Sequence, residues 1–439
     1  MSMEPYPEYK ESGVKWLGEI PVGWRIAAIK VLCSFNDEVL PETTDPDYQF
    51  HYVEISDVSH TEGITFSEPI KFANAASRAR RVVREGDVLV STVRTYLRAI
   101  AGARSIPCNT IASTGFAVLR PRNCDARFLA YGLLAEHSIG EIIARSVGIS
   151  YPAINATDLV NVKLPVPEQN EQHSIADYLD RETSEIDAFI ADQEELITLL
   201  EERRTATISA KTFPYKTSPD DSNHAPLVRV GQAFSESDDR VESASPAELL
   251  SVSIHSGVLP WSELHDKEPK SETLKNYKIV MPGDIVLNRM RAFQGGLGES
   301  KNHGVVSPDY MVMRIRKNAN SSYLSYLMKS HRFIAEMSSR LRGIGSEEQG
   351  TVRTPRINPR DLSNIRVPLP PLKEQQEIAA YLDRETAEID AAITDAREAI
   401  ALSKERRAAV ISAAVTGKID VRGLTTEPTP TQEQSVGVA

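Results

Sequence analysis

Cysteine and long apolar runs are scarce in this chain of 439 residues. The three cysteines, Cys33, Cys108 and Cys124, are an odd number without the pair spacing of a zinc site, which suits a reducing cytoplasm. No apolar run approaches the ~18 residues that cross a membrane. The N-terminus is acidic and contains proline, unlike a secretory signal peptide. We therefore expect a cytoplasmic protein without a membrane span.

Catalytic motifs are also missing. There is no phosphate-binding loop of the Walker type, and Gly417–Lys418 stands alone. The stretch FQGGLG at 293–298 faintly resembles an adenosylmethionine-binding loop, but it lacks the strand and acid that precede such a loop. The nine histidines show no ligand spacing. These absences predict a non-catalytic chain with no metal and no cofactor of its own.

Positive charge is in short supply, because the net charge is −11. The acidic residues are concentrated in two stretches. Residues 168–210 carry −9 and residues 371–413 carry −3, so all other residues together carry +1. An acidic chain argues against a nucleic-acid partner, but this distribution leaves the remaining surfaces free to be basic.

A duplicated stretch organises the chain. It is EQHSIADYLDRETSEIDAFI at 171–190 and EQQEIAAYLDRETAEIDAAI at 374–393, with fifteen of the twenty positions identical. The offset of 203 residues holds without a gap from Asp158 and Asp361 to Ala210 and Ala413. Such similarity indicates an internal repeat.

Each copy is predicted to form one long helix, at 164–211 and 367–416. A proline cluster opens each copy, and neither contains Pro or Gly for more than forty residues thereafter. Each helix should be about 60 Å long and carry one apolar stripe. The two stripes most simply bury each other in a coiled-coil pair; the alternative is two unrelated surface helices. The predicted pairing residues are Ile175, Leu179, Ile186, Ile190 and Ile197 in the first helix, and Ile378, Leu382, Ile389, Ile393 and Ile400 in the second.

Two mixed α/β (α+β) domains are predicted beside the helices, at 1–163 and 227–366. Strand-like runs in the first include Tyr52–Ile55, Val88–Val90 and Phe116–Leu119. The domains correspond weakly: GDVLVSTVRTY and FLAY in the first align with GDIVLNRMRAF and YLSY in the second. The unit of domain plus helix is therefore used twice, as an internal pseudo-twofold repeat. The helices have stayed similar while the domains diverged, which indicates one shared task and two different ones.

The remaining segments are a linker and a tail. Residues 212–226 are polar and contain proline, which is typical of a linker. Residues 417–439 lose the helical periodicity, and we expect this tail to be disordered.

Arginine and aromatic residues recur in a loop after each Gly-Asp strand, and a second loop precedes each long helix. Arginine can bind guanine edges or phosphate, and glutamine can pair with adenine. An ordinary solvated loop with one packed aromatic residue is the alternative. The basic stretch SRARRVVRE at 77–85 is either a contact to a DNA backbone or a solvated helix face. The candidate DNA-binding residues are Arg94, Tyr96, Arg98, Ser150, Tyr151, Arg289, Arg291, Phe293, Gln294, Arg353 and Arg356.

These motifs resemble one known family. YKESGVKWLGEIPVGW at 9–24 is similar to the N-terminus of specificity subunits of Type I restriction–modification systems, and the two YLDRET helices resemble that family's two conserved regions. The domains between them resemble its target recognition domains. The resemblance covers nearly the whole chain.

The resemblance implies a DNA-binding subunit whose two domains each read half of a bipartite, asymmetric target. It implies an antiparallel helix pair that spaces the domains and docks two methyltransferase subunits, with restriction and translocase subunits joining them. Adenosylmethionine, ATP and magnesium would then bind those partners. The first helix departs from the symmetry of the repeat, because it is much more acidic than the second. This difference argues against equivalent docking of the two partner subunits. The alternative from another class is a coiled-coil scaffold with two protein-interaction domains and no DNA.

Overall fold

The computed structural model describes residues 4–214, 225–242, 248–254, 257–265, 274–341 and 356–424. The chain forms two compact units. Unit 1 is Met1–Gln193 with Arg397–Ala439, and unit 2 is Glu194–Ala396. Both boundaries fall inside the long helices, because the two halves of each helix pack in different units. Arg353, most of the predicted linker and residues 425–439 lie outside the described residues.

Unit 1 is built from fourteen short strands and four short helices before the first long helix begins. The strands are β1 (Tyr9–Glu11), β2 (Glu19–Pro21), β3 (Arg25–Ala28), β4 (Cys33–Phe35), β5 (Gln49–Val53), β6 (Val58–Ser59), β7 (Gly63–Ile64), β8 (Ile70–Lys71), β9 (Ala79–Val83), β10 (Val88–Ser91), β11 (Ile100–Gly102), β12 (Thr110–Ser113), β13 (Phe116–Pro121) and β14 (Lys163–Val166). The helices are α1 (Ile29–Leu32), α2 (Ala126–Leu134), α3 (Glu136–Ala144) and α4 (Ala156–Leu159).

Two four-stranded sheets form the centre of this domain, in the orders β11-β10-β13-β4 and β8-β5-β12-β9. Strand β10 is buried at all four positions, because it lies between β11 and β13 and carries only Val, Leu and Ser. The predicted strands at 88–90 and 116–119 are confirmed, and the one at 52–55 lies instead at Gln49–Val53. The basic stretch 77–85 contains β9, so a helix face is the wrong alternative there.

The described residues of unit 2 repeat this plan with ten strands. The strands are β15 (Leu227–Arg229), β16 (Phe234–Ser237), β17 (Leu250–Ser253), β18 (Gly257–Pro260), β19 (Lys278–Val280), β20 (Ile285–Leu287), β21 (Leu297–Glu299), β22 (Gly304–Val306), β23 (Met311–Ile315) and β24 (Arg366–Pro368). Four short helices are α6 (Trp261–Leu264), α7 (Ser321–Lys329), α8 (His331–Ser338) and α9 (Pro359–Ser363). The largest sheet has the order β16-β23-β20-β21. Strands β20 and β23 match β10 and β13 of unit 1 in sequence and in their antiparallel pairing.

The two long helices are α5 (Gln169–Thr212) and α10 (Leu372–Val415), with 44 residues each. Each begins five residues later than we predicted. The cause is a strand in front of each helix: β14 pairs with β3, and β24 pairs with β15. The prolines that we assigned to the helix starts therefore lie in these strands and in the turns that follow them.

Within unit 1, α5 and α10 pack antiparallel. Ile175 and Leu179 share a buried cluster with Ile411 and Ala414 near the end of α10. Further along α5, Asp187 pairs with Arg407, which comes earlier in α10. The ion pair is bidentate, with Arg407 Nε 2.8 Å from Asp187 Oδ1 and Nη2 3.1 Å from Oδ2. Residue numbers thus rise along one helix as they fall along its neighbour.

Within unit 2, the other halves of the same helices also pack antiparallel. Arg204 Nε donates to Asp390 Oδ1 at 2.9 Å, and the Lys211 ammonium lies 4.7 Å from the centroid of the Tyr381 ring. Asp390 and Arg204 are the repeat equivalents of Asp187 and Arg407 at the offset of 203 residues. The same ion pair is therefore made twice with the roles of the helices exchanged, as a pseudo-twofold repeat requires.

The predicted stripe lies largely in the interior. Its buried members are Ile175, Leu179, Ile186, Ile190, Leu382, Ile389 and Ile393, and its half-buried members are Ile197, Ile378 and Ile400. The first turns of each long helix contact the preceding domain as well as the other helix. Ile175 and Leu179 share their buried cluster with Phe128 and Tyr131 of α2, and Ile378 packs against the core of the second domain. The start of each stripe thus attaches a domain as well as a helix.

The identical run YLDRET is explained by this attachment. In unit 1 the Tyr131 hydroxyl donates to Asp180 Oδ1 at 2.7 Å and lies 3.1 Å from Thr183 Oγ1. Burial raises the pKa of Tyr131 to about 12, so the hydroxyl keeps its proton for this bond. In unit 2 Tyr326 contacts Asp383 and Thr386 in the same way, at 2.8 and 3.0 Å.

The chain is ordered beyond the point where we predicted a disordered tail. Ile419 and Val421 are buried among Tyr6, Leu17 and Trp24 of the N-terminal segment. Tyr9 donates through its hydroxyl to the carbonyl of Gly417 at 2.9 Å. The predicted tail is therefore wrong for 417–424, because short apolar residues without helical periodicity complete a core with the N-terminal segment.

Candidate nucleic-acid interface

The loop after β10 is held in an unusual backbone conformation. Arg94 and Arg98 have φ values of 51° and 54° and enclose a single 3₁₀ turn at Thr95–Leu97. The left-handed region is costly for a residue with a side chain, by ~1–2 kcal/mol. Neighbouring groups must therefore hold the loop in place. The Arg94 amide donates to the carbonyl of Pro152 at 2.7 Å, and the Ile154 amide donates to Thr92 at 2.8 Å.

These bonds join two loops that we selected separately from the sequence. Residues 147–153 form a small hairpin, in which the Val147 amide donates to Ala153 at 2.8 Å and the Ala153 amide returns a bond of 3.0 Å. The guanidinium of Arg94 lies 5.0 Å from the centroid of the Tyr151 ring, which is a cation–π contact. Arg94, Tyr96, Ser150 and Tyr151 are all exposed. The structure thus brings four of the five candidates of this domain to one surface.

Arg98 is the fifth candidate, and its side chain is bound elsewhere. Its guanidinium makes hydrogen bonds of 2.5 and 3.1 Å to the two carboxylate oxygens of Glu136 at the start of α3. It also lines a cavity of about 70 Å³ with Lys404 and Arg407 of α10. This ion pair opposes a DNA contact by Arg98. The sequence did not indicate it, because Glu136 is 38 residues away.

The second domain assembles its loops in the same order along the chain. Arg289 follows β20 and donates through Nε to the carbonyl of Ile357, the repeat equivalent of Ile154, at 3.1 Å. Arg356 lies beside it, with Nη2 3.7 Å from the Met290 sulfur and Nη1 3.5 Å from an Asp309 carboxylate oxygen. The loop after the strand therefore again contacts the segment before the long helix.

Arg291, Phe293 and Gln294 complete this loop. All three are exposed, and Phe293 has 42% of its surface accessible. Burial raises the pKa of Tyr310, and the nearby positive charge of Arg291 opposes part of that increase. Five of the six candidates of this domain can be placed, and Arg353 lies outside the described residues.

Within the described part of the chain, no group of three or more His, Cys, Asp or Glu side chains is arranged to hold a metal ion. No helix there combines the length and apolar character that a membrane span requires. The candidate surface instead presents guanidinium groups and aromatic rings, which bind phosphate oxygens and base edges.

The sequence profile of the Type I restriction modification DNA specificity domain matches this chain twice, at residues 39–198 and 256–398. Together the matches span more than half of the chain. Each contains most of one domain and the first part of the long helix that follows it. This is the repeated unit that the duplication predicted.

Relatives agree with the profile match. The specificity subunit of the Type I restriction enzyme MjaVIII of Methanocaldococcus jannaschii is 25% identical over 448 residues, covering 95% of this chain and 98% of its own. The crystal structure of the HsdS subunit from Thermoanaerobacter tengcongensis is 25% identical, with a TM-score of 0.52, and covers 91% of this chain and 98% of its own. A structure described as showing complex assembly and conformational transition of the type I R-M system has a TM-score of 0.71 at 23% identity, and covers 91% and 99%. The scaffold alternative without DNA is not favoured.

Proposed function

Because this chain belongs to the family of Type I restriction–modification DNA specificity proteins, we propose that each of its domains reads one half of a bipartite DNA target. The supporting observation is the surface at which two loops meet in each domain. In unit 1 it carries Arg94 stacked on Tyr151, and in unit 2 it carries Arg291 and Phe293. These side chains differ between the domains, so the two half-sites should differ and the target should be asymmetric.

The long helices have a different role in this proposal. They set the length of the unread spacer between the half-sites and dock two methyltransferase subunits. Their near identity supports a shared task. One task that the helices share is attachment of a domain, since Asp180 and Asp383 accept the same hydrogen bond from the two domains. Restriction and translocase subunits would join this assembly in the cytoplasm. The chain itself would be non-catalytic, with adenosylmethionine, ATP and magnesium bound by those partners.

Mapping methylated adenines in DNA from cells that carry this chain with its methyltransferase subunit tests the proposal. We expect one asymmetric motif with two read segments and a fixed unread gap. Salt-dependent binding of the purified assembly to a duplex with that motif should follow. Absence of both a motif and salt-dependent binding would overturn the DNA-reading function.

Two arginine substitutions then connect each half-site with one domain. Arg94→Ala should weaken only the half-site of the first domain, and Arg291→Ala only the other. If the arginine contacts guanine, the loss should be ~1–3 kcal/mol and limited to one base position. If it contacts phosphate, binding should weaken for all sequences, and the salt slope should fall by about 1.

Arg122→Ala and Arg316→Ala are the matched controls. Each removes an exposed arginine just beyond the far end of the same sheet, since Arg122 follows β13 and Arg316 follows β23. Both should keep the affinity and specificity of the unmodified chain. Unchanged binding in Arg94→Ala and Arg291→Ala as well would show that other loops read the DNA.

A further inference from the structure

The hairpin at 147–153 exposes apolar side chains to water. Ile149 at its tip is fully accessible at 103%, and Val147 is 80% exposed. Tyr96 and Leu97 on the adjoining loop are each about half exposed. Single exposed apolar residues are common on protein surfaces, but a group on two touching loops marks an interaction site. Folding buries none of the Ile149 side chain, so any apolar contact that it makes has to come from a partner.

The hairpin is fixed before any partner arrives. The paired amides of Val147 and Ala153 close it, and the Arg94 amide ties its far strand to the recognition loop. Gly148 has a φ of 116°, and a Cβ atom there would lie 3.0 Å from the carbonyl oxygen of Tyr151. The turn is therefore tight, and it holds Ile149 at the tip. Binding through such a tip loses little conformational entropy.

The surroundings indicate which partner Ile149 contacts. Arg94 lies over Tyr151, two residues from Ile149, and among the described residues no carboxylate pairs with it. A cationic group beside apolar side chains complements DNA, where phosphates surround the base edges. Ile149 offers neither a donor nor an acceptor, so it can read a base only by apolar contact. The thymine C5-methyl group is the apolar group that base edges present in the major groove.

We propose that Ile149 contacts the C5-methyl group of a thymine in the half-site read by the first domain. This inference rests on the proposed function and adds a residue that determines specificity by shape rather than by hydrogen bonding. Methylation of an adenine within this half-site would place an A·T pair there, and the half-site would then contain at least one thymine to test.

Replacing each thymine of this half-site in turn by deoxyuridine removes one methyl group and no hydrogen-bonding group. One replacement should lower the affinity of the complete methyltransferase assembly about fourfold, which is the value of one buried methyl group, ~0.8 kcal/mol. In Ile149→Ala, affinity for thymine DNA should fall by a similar factor, and deoxyuridine at that position should cause no further loss. The melting temperature of Ile149→Ala should be unchanged, because the side chain is fully exposed.

Val31→Ala is the matched control, since it also shortens an exposed apolar residue of the first domain but lies in α1, outside the two loops. It should keep the discrimination between thymine and deoxyuridine, as should the Ile149→Ala variant at thymines of the other half-site. Discrimination that survives in Ile149→Ala overturns the inference. Equal loss on thymine and deoxyuridine DNA also overturns it and indicates a wedge between base steps.

Three further outcomes separate this inference from the function on which it rests. If Ile149→Ala binds DNA normally but loses methyltransferase subunits, the tip is a protein-docking site and the inference is wrong. If the unmodified assembly itself binds no specific sequence, the proposed function fails, and the inference fails with it. Specific binding by the unmodified assembly without a methyl effect refutes the inference alone.

Discussion

The ion pair that occurs twice between the long helices predicts two unequal contributions to stability. Arg407 and Asp187 have side chains that are 10% and 35% exposed, whereas Arg204 and Asp390 are 35% and 53% exposed. Arg407 also donates to the carbonyl of His60 at 3.2 Å. The chemistry and the repeat position are the same, so burial is the main difference.

Removing one partner of a fully buried pair costs ~3–5 kcal/mol, and an exposed pair contributes ~0–1 kcal/mol. Asp187 keeps part of its hydration, so we expect Arg407→Ala to lower the free energy of unfolding by about 2 kcal/mol. Arg204→Ala should cost about 0.5 kcal/mol. For units of this size the melting temperature should fall by about 6 °C in the first variant and by 1–2 °C in the second.

Double-mutant cycles isolate the pairwise contribution. The single and double alanine variants of Arg407 with Asp187, and of Arg204 with Asp390, can be compared by urea unfolding. We expect coupling energies of about 1.5 kcal/mol and about 0.5 kcal/mol, with the second falling further in high salt. Arg407→Lys keeps the charge but not the bidentate geometry, so it should recover less than half of the free energy of unfolding that Arg407→Ala loses. Equal coupling in the two pairs would refute the argument from burial.

Three other predictions follow from the helices and from one buried histidine. A fragment ending near Thr217 lacks α10, so the side chains of Ile186 and Ile190 become exposed to water. We expect this fragment to dimerise in sedimentation experiments, and a monomeric fragment would contradict helix pairing. Four residues inserted after Ile197 add about 6 Å and turn the apolar stripe by only ~40°, so methylation mapping should show an unread gap that is one or two base pairs longer. Two inserted residues turn the stripe by ~200° and should abolish activity. An active four-residue variant with an unchanged gap would refute the spacing role. His137 stacks on Trp16 with the rings 4.9 Å apart, and burial lowers its pKa from 6.5 to about 4, with Lys418 adding to the effect. Protonation of His137 therefore favours the unfolded chain. The free energy of unfolding should be highest above pH 6.5 and should fall as the pH is lowered toward 4. In urea titrations, His137→Phe should reduce this pH dependence.

Periodicity and repetition alone determined the long helices and their pairing. The spacing of Ile186, Ile190, Ile389 and Ile393 places them on one face of each helix, and their burial confirms that face. The duplication also predicted a domain-plus-helix unit used twice, which the two profile matches confirm. Such features depend on the residue pattern along the chain, so they can be recognised without coordinates.

Helix starts and loop assignments depended on contacts between distant residues. The first turns that we predicted are strands, because Lys163–Val166 pairs with a strand more than a hundred residues earlier. Arg94 and Arg98 look equivalent in sequence, but Glu136 binds one and Tyr151 stacks on the other. The order of 417–424 likewise depends on Trp24 and Tyr9 at the other end of the chain.

Position along the chain therefore predicted which segments are helices and which loops are candidates for binding. Tertiary structure decided which guanidinium groups face solvent and which are held by carboxylates. The physical reason is that an exposed loop has no periodic pattern, so the side chains that surround it come from elsewhere in the fold. Ile149 illustrates the same point, because only the hairpin contacts show that this apolar residue lies at an exposed tip beside Arg94 and Tyr151.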